Sequence, residues 1–232
     1  MEVMFMPERP VFVLLTCEHA DRAIPQAFSS LFKNVNCALH RWYDPGARSF
    51  SLALSARYGW PCICGKWSRL LVDLNRSETH PALFSSYTKS LEPKQRESIL
   101  QKVYRPFREQ VEHLIVEAIK KKSCVVHLSC HSFTSRFNGK TRPMDVGVLY
   151  DPSRRNEREL AHCLCQALKE RGFSVRKNAP YKGVSDGHTT ALRKKFSEHV
   201  YLGIEIEVNQ RICSHRFLKL QEFLESFSLL GN

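Results

Sequence analysis

Cys17-Glu18-His19 and Cys130-His131 each stand where an apolar, β-branched run ends, VFVLLT in the first case and CVVHLS in the second, and a further run, RLLVDL, leads into Asn75-Arg76. Imidazoles and carboxylates together are the donor set of a catalytic zinc. Such an ion takes three protein ligands and keeps a fourth position for water, whose acidity rises until hydroxide is available near neutral pH. Glu18, His19, Asp44 and His131 are the candidate ligands. His19 and His131 each directly follow an apolar strand, so both can converge on one edge of a sheet while far apart in sequence. In open α/β sheets the crevice at the carboxyl ends of the strands is where ligands bind. For either histidine taken alone, the alternative is a satisfied structural ring. Asp44 has a second explanation too, because an Asp before Pro45 can cap a helix, and the two roles can coexist on its two oxygens. Glu18 can bind metal, orient a ligand from behind, or form a surface pair.

Around these ligands the chain offers groups that could grip and activate a substrate. Arg76 after Asn75 presents a planar fork beside an amide, suited to a carboxylate through paired charge-assisted hydrogen bonds. Arg69 lies near the other end of the same run and could equally form a salt bridge, and Arg142, in Gly139-Lys-Thr-Arg-Pro, could reach over the site. In YLGIEIEVNQ the two-residue period puts Glu205 and Glu207 on one face of a strand. One of them could take a proton from the attacking water and pass it to a leaving amine. The alternative is an edge-strand acid exposed to solvent.

The elements that must position these residues read as strands near 11–17, 61–64, 69–74, 124–130, 145–150, 173–177 and 201–208. Helices fill the gaps. One follows Asp44-Pro45 and stops at Gly59, a long one runs from about 93 to 122, one covers 154–171 before Gly172, and one covers 214–229, with Phe217, Leu220, Phe223, Leu224 and Phe227 on one face. Strands alternating with long helices predict a three-layer α/β/α sandwich around a mixed, mostly parallel sheet. Residues 77–92 and 132–144 are polar and irregular, long enough for mobile loops over a site.

The 232 residues suit one domain, 1–232, with a sizeable core. With 43% hydrophobic and 25% charged residues, the composition is that of an ordinary globular protein. No apolar stretch approaches the ~18 residues that cross a bilayer, and MEVMFMPERP lacks a signal peptide's basic and apolar regions, so the expectation is a soluble cytoplasmic protein without membrane contact. The nine cysteines form no regular framework, which fits a reducing compartment, and the Cys-x-Cys pairs at 62/64 and 163/165 have the wrong spacing for a zinc knuckle. The net charge of +12 could attract anions, but the basic residues are scattered, with only Lys120-Lys121-Lys122 as a run. A solvated surface explains them better than nucleic acid does.

Read together, TCEHADRAIP, HRWYDPGARSFSLALS, SRLLVDLNRS, HSFTSRFNGKTRPMDVGVLYD, NAPYKG and IEVNQ resemble the N-formylglutamate amidohydrolase family in order and spacing over nearly the whole chain. The resemblance implies a zinc-dependent hydrolase of phosphorylase/hydrolase-like fold, distantly related to zinc carboxypeptidases and aspartoacylases. It implies His19 and His131 as zinc ligands with Asp44 as the third, and Glu207 as general base. Asn75 and Arg76 would bind a substrate carboxylate, Arg69 would match the preceding arginine of aspartoacylase-like relatives, and Arg142 and Tyr181 would be substrate contacts. The implied substrate is a small N-acyl amino acid. Two features depart from the pattern. Three residues after His19 stands Arg22, where carboxypeptidases carry a glutamate, and ETHPALFSSYTKS replaces the family's usual Pro-Gly-Asn segment. The second departure leaves two other readings open, a zinc peptidase or cell-wall amidase on the same site, and the charge leaves a third, a non-catalytic basic binding protein.

Overall fold

The computed structural model describes residues 9–213 and 219–230. Its β-branched runs form β1 (Val11–Cys17), β2 (Cys62–Cys64) and β3 (Cys124–Phe133). A small exposed hairpin of β4 (Arg136–Phe137) and β5 (Lys140–Thr141) follows, and then β6 (Val146–Leu149), β7 (Val175–Lys177) and β8 (Tyr201–Asn209). The main sheet has six strands in the order β2-β1-β3-β8-β6-β7. Strands β2, β1, β3 and β8 run parallel, while β6 and β7 lie parallel to each other and β6 runs antiparallel to β8. This is the mixed, mostly parallel α/β sheet expected from the sequence, and helices flank both faces.

Those helices are α1 (Ala47–Tyr58), α2 (Pro93–Ile99), α3 (Arg105–Lys120), α4 (Arg155–Glu170), α5 (His188–Lys195), α6 (Gln210–Cys213) and α7 (Leu220–Glu225). On one face, Val13, Leu15, Val126, Leu128, Ile204 and Ile206 pack with Phe50 and Leu54 of α1, Leu160 and Leu164 of α4 and Phe223 of α7. On the other, Leu14, Val125 and Tyr201 pack with Val111 and Ile115 of α3 and Leu192 of α5. Strands β3 and β8 are buried along their whole length, so any ionisable side chain on them needs partners inside the protein. That disposes of the exposed edge-strand reading of Glu205 and Glu207.

The helix expected over 93–122 starts with a capping box between Glu92 and Gln95 and with Pro93 in its first turn. It widens into a π turn over Leu100–Tyr104 before α3 resumes. Pro106 has no N–H to give to the preceding turn and its ring crowds that carbonyl, which accounts for the local change of register. Of the helix expected over 214–229, residues 214–218, Phe217 among them, lie outside the described residues. The rest forms α7 and a short 3₁₀ turn at Ser228–Leu230. Helices α5 and α6 were not expected, because HTTALRKK and QRIC are short and carry no apolar period. Among the described residues no helix is long and apolar enough to cross a membrane.

One expected strand is absent. Residues 69–74 form successive turns, although Leu70, Leu71, Val72 and Leu74 are all buried in the second core. Their backbone groups are met by other partners: Leu83 O accepts from Asp73 N at 2.8 Å, Thr88 Oγ1 donates to Leu71 O at 3.0 Å and Arg108 donates to Leu74 O at 3.1 Å. The irregular stretch 77–92 supplies the first two of these partners and α3 the third. It packs Leu83, Phe84, Tyr87 and Leu91 under the turns and adds no residue to the lining of the substrate pocket described next.

Candidate metal centre and active site

Side chains alternate along a strand, so Leu14 and Thr16 of β1 share a face, as do Val125, His127, Ser129 and His131 of β3, and Tyr201, Gly203, Glu205 and Glu207 of β8. The register sets Thr16 beside Ser129, Ser129 beside Glu205 and His131 beside Glu207. This face is apolar at the amino ends of the strands and becomes ionisable toward their carboxyl ends. Glu18 and His19 follow directly from β1 at that same end.

Asp44 reaches this edge from the turn before α1. Gly46 makes the turn with φ +85°, and a Cβ there would lie 2.7 Å from the Cys213 carbonyl oxygen, so only glycine fits. Asp44 N donates to His19 O at 2.9 Å and Ser132 Oγ to Pro45 O at 2.8 Å, which ties the turn to both histidine segments. The Asp44 carboxylate makes no cap hydrogen bond to α1, whose N-cap is Gly46. Its Oδ2 lies 3.4 Å from His19 Nδ1 and 2.9 Å from His131 Nδ1. All three residues are buried, and their ligand atoms lie within 4.8 Å of one another, a group that could hold a metal ion.

Carboxylates back the far side of each ring. His19 Nε2 lies 2.7 Å from Asp73 Oδ1. His131 Nε2 lies 2.9 Å from Ser129 Oγ and 3.4 Å from Glu18 Oε2, and Ser129 Oγ donates to Glu18 Oε2 at 2.8 Å. Metal-bound histidines are held this way, the outer N–H fixed by an oxygen so that the inner nitrogen faces the ion. Burial opposes charge throughout the cluster, yet mutual attraction wins for most members. Against burial, His188 and His131 hold Glu18 well below the carboxylate range, and Arg69 and His19 do the same for Asp73. Against burial again, the hydrogen bond and charge of Asp44 raise His131 to about 10. Glu207 behaves differently. Burial, only partly offset by His131, pushes it up to about 8, and its Oε2 is buried without a hydrogen-bond partner among the described residues.

These groups open into a cavity of ≈ 310 Å³ lined by His19, Asp44, Arg69, Asn75, Arg76, His131, Tyr181 and Glu207, among others. Arg69 is engaged by Asp73 at 2.9 Å and Asp44 at 3.4 Å. Arg76 donates one N–H to Asp186 O at 2.7 Å and lines the same cavity. Arg142 lies near the mouth, its guanidinium 4.7 Å from the Phe137 ring centre and 5.4 Å from that of Tyr181. Glu205 lines the pocket too, with its Oε1 accepting from Thr189 Oγ1 at 2.6 Å, whereas the Glu207 Oε2 is buried with no partner among the described residues. Glu18 is not among the residues of the three-membered group and stands behind His131. Of the two irregular stretches, 132–144 reaches the pocket through Ser132, Phe133, Thr134 and Phe137.

Asp73, Thr16, Ser129, His127 and His188 were not singled out in the sequence. Thr16, His127 and Ser129 could have been found by stepping back two residues at a time from Glu18 and His131. Asp73 was read as part of a strand, and His188 lies in a polar stretch with no period. Burial, together with the Arg108 charge, pushes His188 down to about 4.

Comparison with known proteins agrees with this geometry. No curated protein matches. A solved gene product of Agrobacterium tumefaciens superposes with a TM-score of 0.80 at 26% identity, over 97% of this chain and 90% of that one. A solved N-formylglutamate amidohydrolase from Ralstonia eutropha superposes with a TM-score of 0.73 at 18% identity, over 98% and 94% of the two chains, and shares the fold. The family model of N-formylglutamate amidohydrolase matches residues 11–213, which takes in every site element described above. The chain belongs to the N-formylglutamate amidohydrolase family.

Proposed function

We propose that the protein is a zinc-dependent amidohydrolase that cleaves the amide bond of a small N-acyl amino acid such as N-formyl-L-glutamate. The observation that carries this reading is the buried Glu207 Oε2, without a partner among the described residues, on a side chain that lines the same pocket as His19, Asp44 and His131. Two imidazoles and a carboxylate, each imidazole backed by an oxygen, fit a catalytic zinc rather than a closed structural site. When bound, the ion supplies Lewis acidity that polarises the scissile carbonyl.

The chain's own residues do the rest. His19, Asp44 and His131 hold the ion, with Asp73 and Ser129 fixing the two rings. Glu207, ionised once a cation shares the pocket, takes a proton from the attacking water and hands it to the departing amine nitrogen. Arg76 and Asn75 clasp the substrate carboxylate, and Arg69 lends positive charge beside the reacting carbonyl. Tyr181 and Arg142 close the mouth. A pocket of ≈ 310 Å³ stands at the lower end for small-molecule sites, which favours a compact acyl amino acid over a polymer.

The test is a panel of N-formyl, N-acetyl and N-succinyl amino acids and dipeptides, offered to metal-stripped and zinc-restored protein. The expected result is zinc-dependent release of free amine, fastest from acidic N-formyl substrates. Faster cleavage of dipeptides would move the substrate to peptides, and no cleavage of any amide would remove the hydrolase reading.

A further inference from the structure

The polar network does not end behind His131. Glu18 is buried, and each of its oxygens already accepts from a hydroxyl, Oε1 from Thr16 Oγ1 at 2.8 Å and Oε2 from Ser129 Oγ at 2.8 Å. Oε1 also lies 3.0 Å from His188 Nδ1. Since a carboxylate only accepts, His188 carries its proton on Nδ1, and its Nε2 is left as an acceptor. That Nε2 is buried and has no partner among the described residues. His127 cannot take over the role, because its Nε2 is 2.8 Å from Thr16 Oγ1 and its Nδ1 is 2.8 Å from Tyr201 OH. The backbone of His188 reaches the site as well, its N–H donating to Asn75 Oδ1 at 2.7 Å.

His188 also forms part of the wall of a second cavity of ≈ 270 Å³, bordered by Tyr104, Arg108, Glu112 and Lys195 and sharing no lining residue with the substrate pocket. His188 itself is buried, so it borders this cavity without opening into solvent.

We propose that His188 is a positioning residue for the metal centre, holding Glu18 so that Glu18 and Ser129 fix the ring of His131, with the second cavity adjoining the residue on its other side. This rests on the metal reading above. An ionised, buried Glu18 short of one donor would be costly, and it relaxes by turning away from Ser129 and His131. The Ser129 hydroxyl, no longer held by Glu18, then stops fixing the His131 ring.

The test compares zinc affinity, measured by chelator competition on metal-stripped protein, for the wild type and for His188→Gly, His188→Asn and His188→Gln. Melting curves verify that each variant folds. An asparagine amide can place its N–H close to the site of Nδ1, whereas a glutamine amide extends past it toward the cavity. We expect His188→Gly to bind zinc roughly 10- to 100-fold more weakly, His188→Asn to stay close to the wild type and His188→Gln to resemble the glycine variant. Free imidazole, entering through the second cavity, should restore much of the affinity of His188→Gly, judged against wild type in the same imidazole. Equal affinities in all four proteins would overturn the proposal. So would a loss common to the glycine and asparagine variants that imidazole does not restore, since that marks a packing role alone. A wild type that binds no zinc would overturn the metal reading, and this inference with it.

Discussion

Leu15, Leu128, Cys130, Ile204 and Ile206 cover one face of the central strands and belong to the larger apolar core, while Thr16, Ser129, His131, Glu205 and Glu207, interleaved with them, turn to the other face. A period of two lets a single run of residues build a core and a catalytic site at once. The first face is stabilised by exclusion of water, roughly in proportion to the apolar area covered. The second buries charge, tolerated only because nearly every group on it has a partner. Glu207 Oε2, without a partner among the described residues, is an exception, and it belongs to the carboxyl proposed above as the base.

The contrast can be broken most severely at that exception. Glu207→Gln should lower kcat by roughly 10²- to 10⁴-fold, the usual contribution of a general base, with bound metal unchanged. Elemental analysis beside steady-state rates checks both halves. A paired substitution separates the faces. Leu128→Ala, on the apolar side, should cost about 2–5 kcal/mol of stability, read by denaturant unfolding, while the folded fraction keeps its metal. Ser129→Ala, one residue on and facing the opposite way, should cost about 1–3 kcal/mol for the Glu18 oxygen it leaves short of a donor and bind zinc roughly tenfold more weakly. Arg76→Ala should raise KM for acidic N-acyl amino acids about tenfold with a smaller change in kcat, as loss of one charge-assisted contact implies.

A separate effect concerns pH. Without metal, burial holds the Glu207 pKa at about 8, while the unfolded chain releases that proton near the ordinary glutamate value of 4.5. Between those values the folded state binds the extra proton, so this group's contribution to stability falls as pH rises through the window and levels off above it. Metal-free Glu207→Gln should therefore gain melting temperature over the wild type at pH 9 and gain little at pH 4. A difference that does not vary with pH would show that Glu207 titrates normally.

Much of this architecture could be read from the sequence, for physical reasons that also mark where the reading stopped. Gly59, Pro93 and Gly172 punctuate helices through backbone geometry alone, and β-branched runs marked β1, β3 and β8. Residues 70–74 misled because a mostly apolar run looks the same whether its backbone pairs in a sheet or is satisfied by Thr88 and Arg108. At the site, His19 and His131 stand out because each follows an apolar run near the carboxyl end of a strand. Asp73 was hidden inside the misread run. His188 was hidden because a side chain whose role depends on a partner 170 positions away leaves no local pattern.

The most direct test of the whole account is the metal content of the purified chain and of His19→Ala and His131→Ala. One zinc per wild-type chain, absent from both folded variants, is the predicted result. Full zinc occupancy in both variants, or a wild type that takes up none, would contradict it.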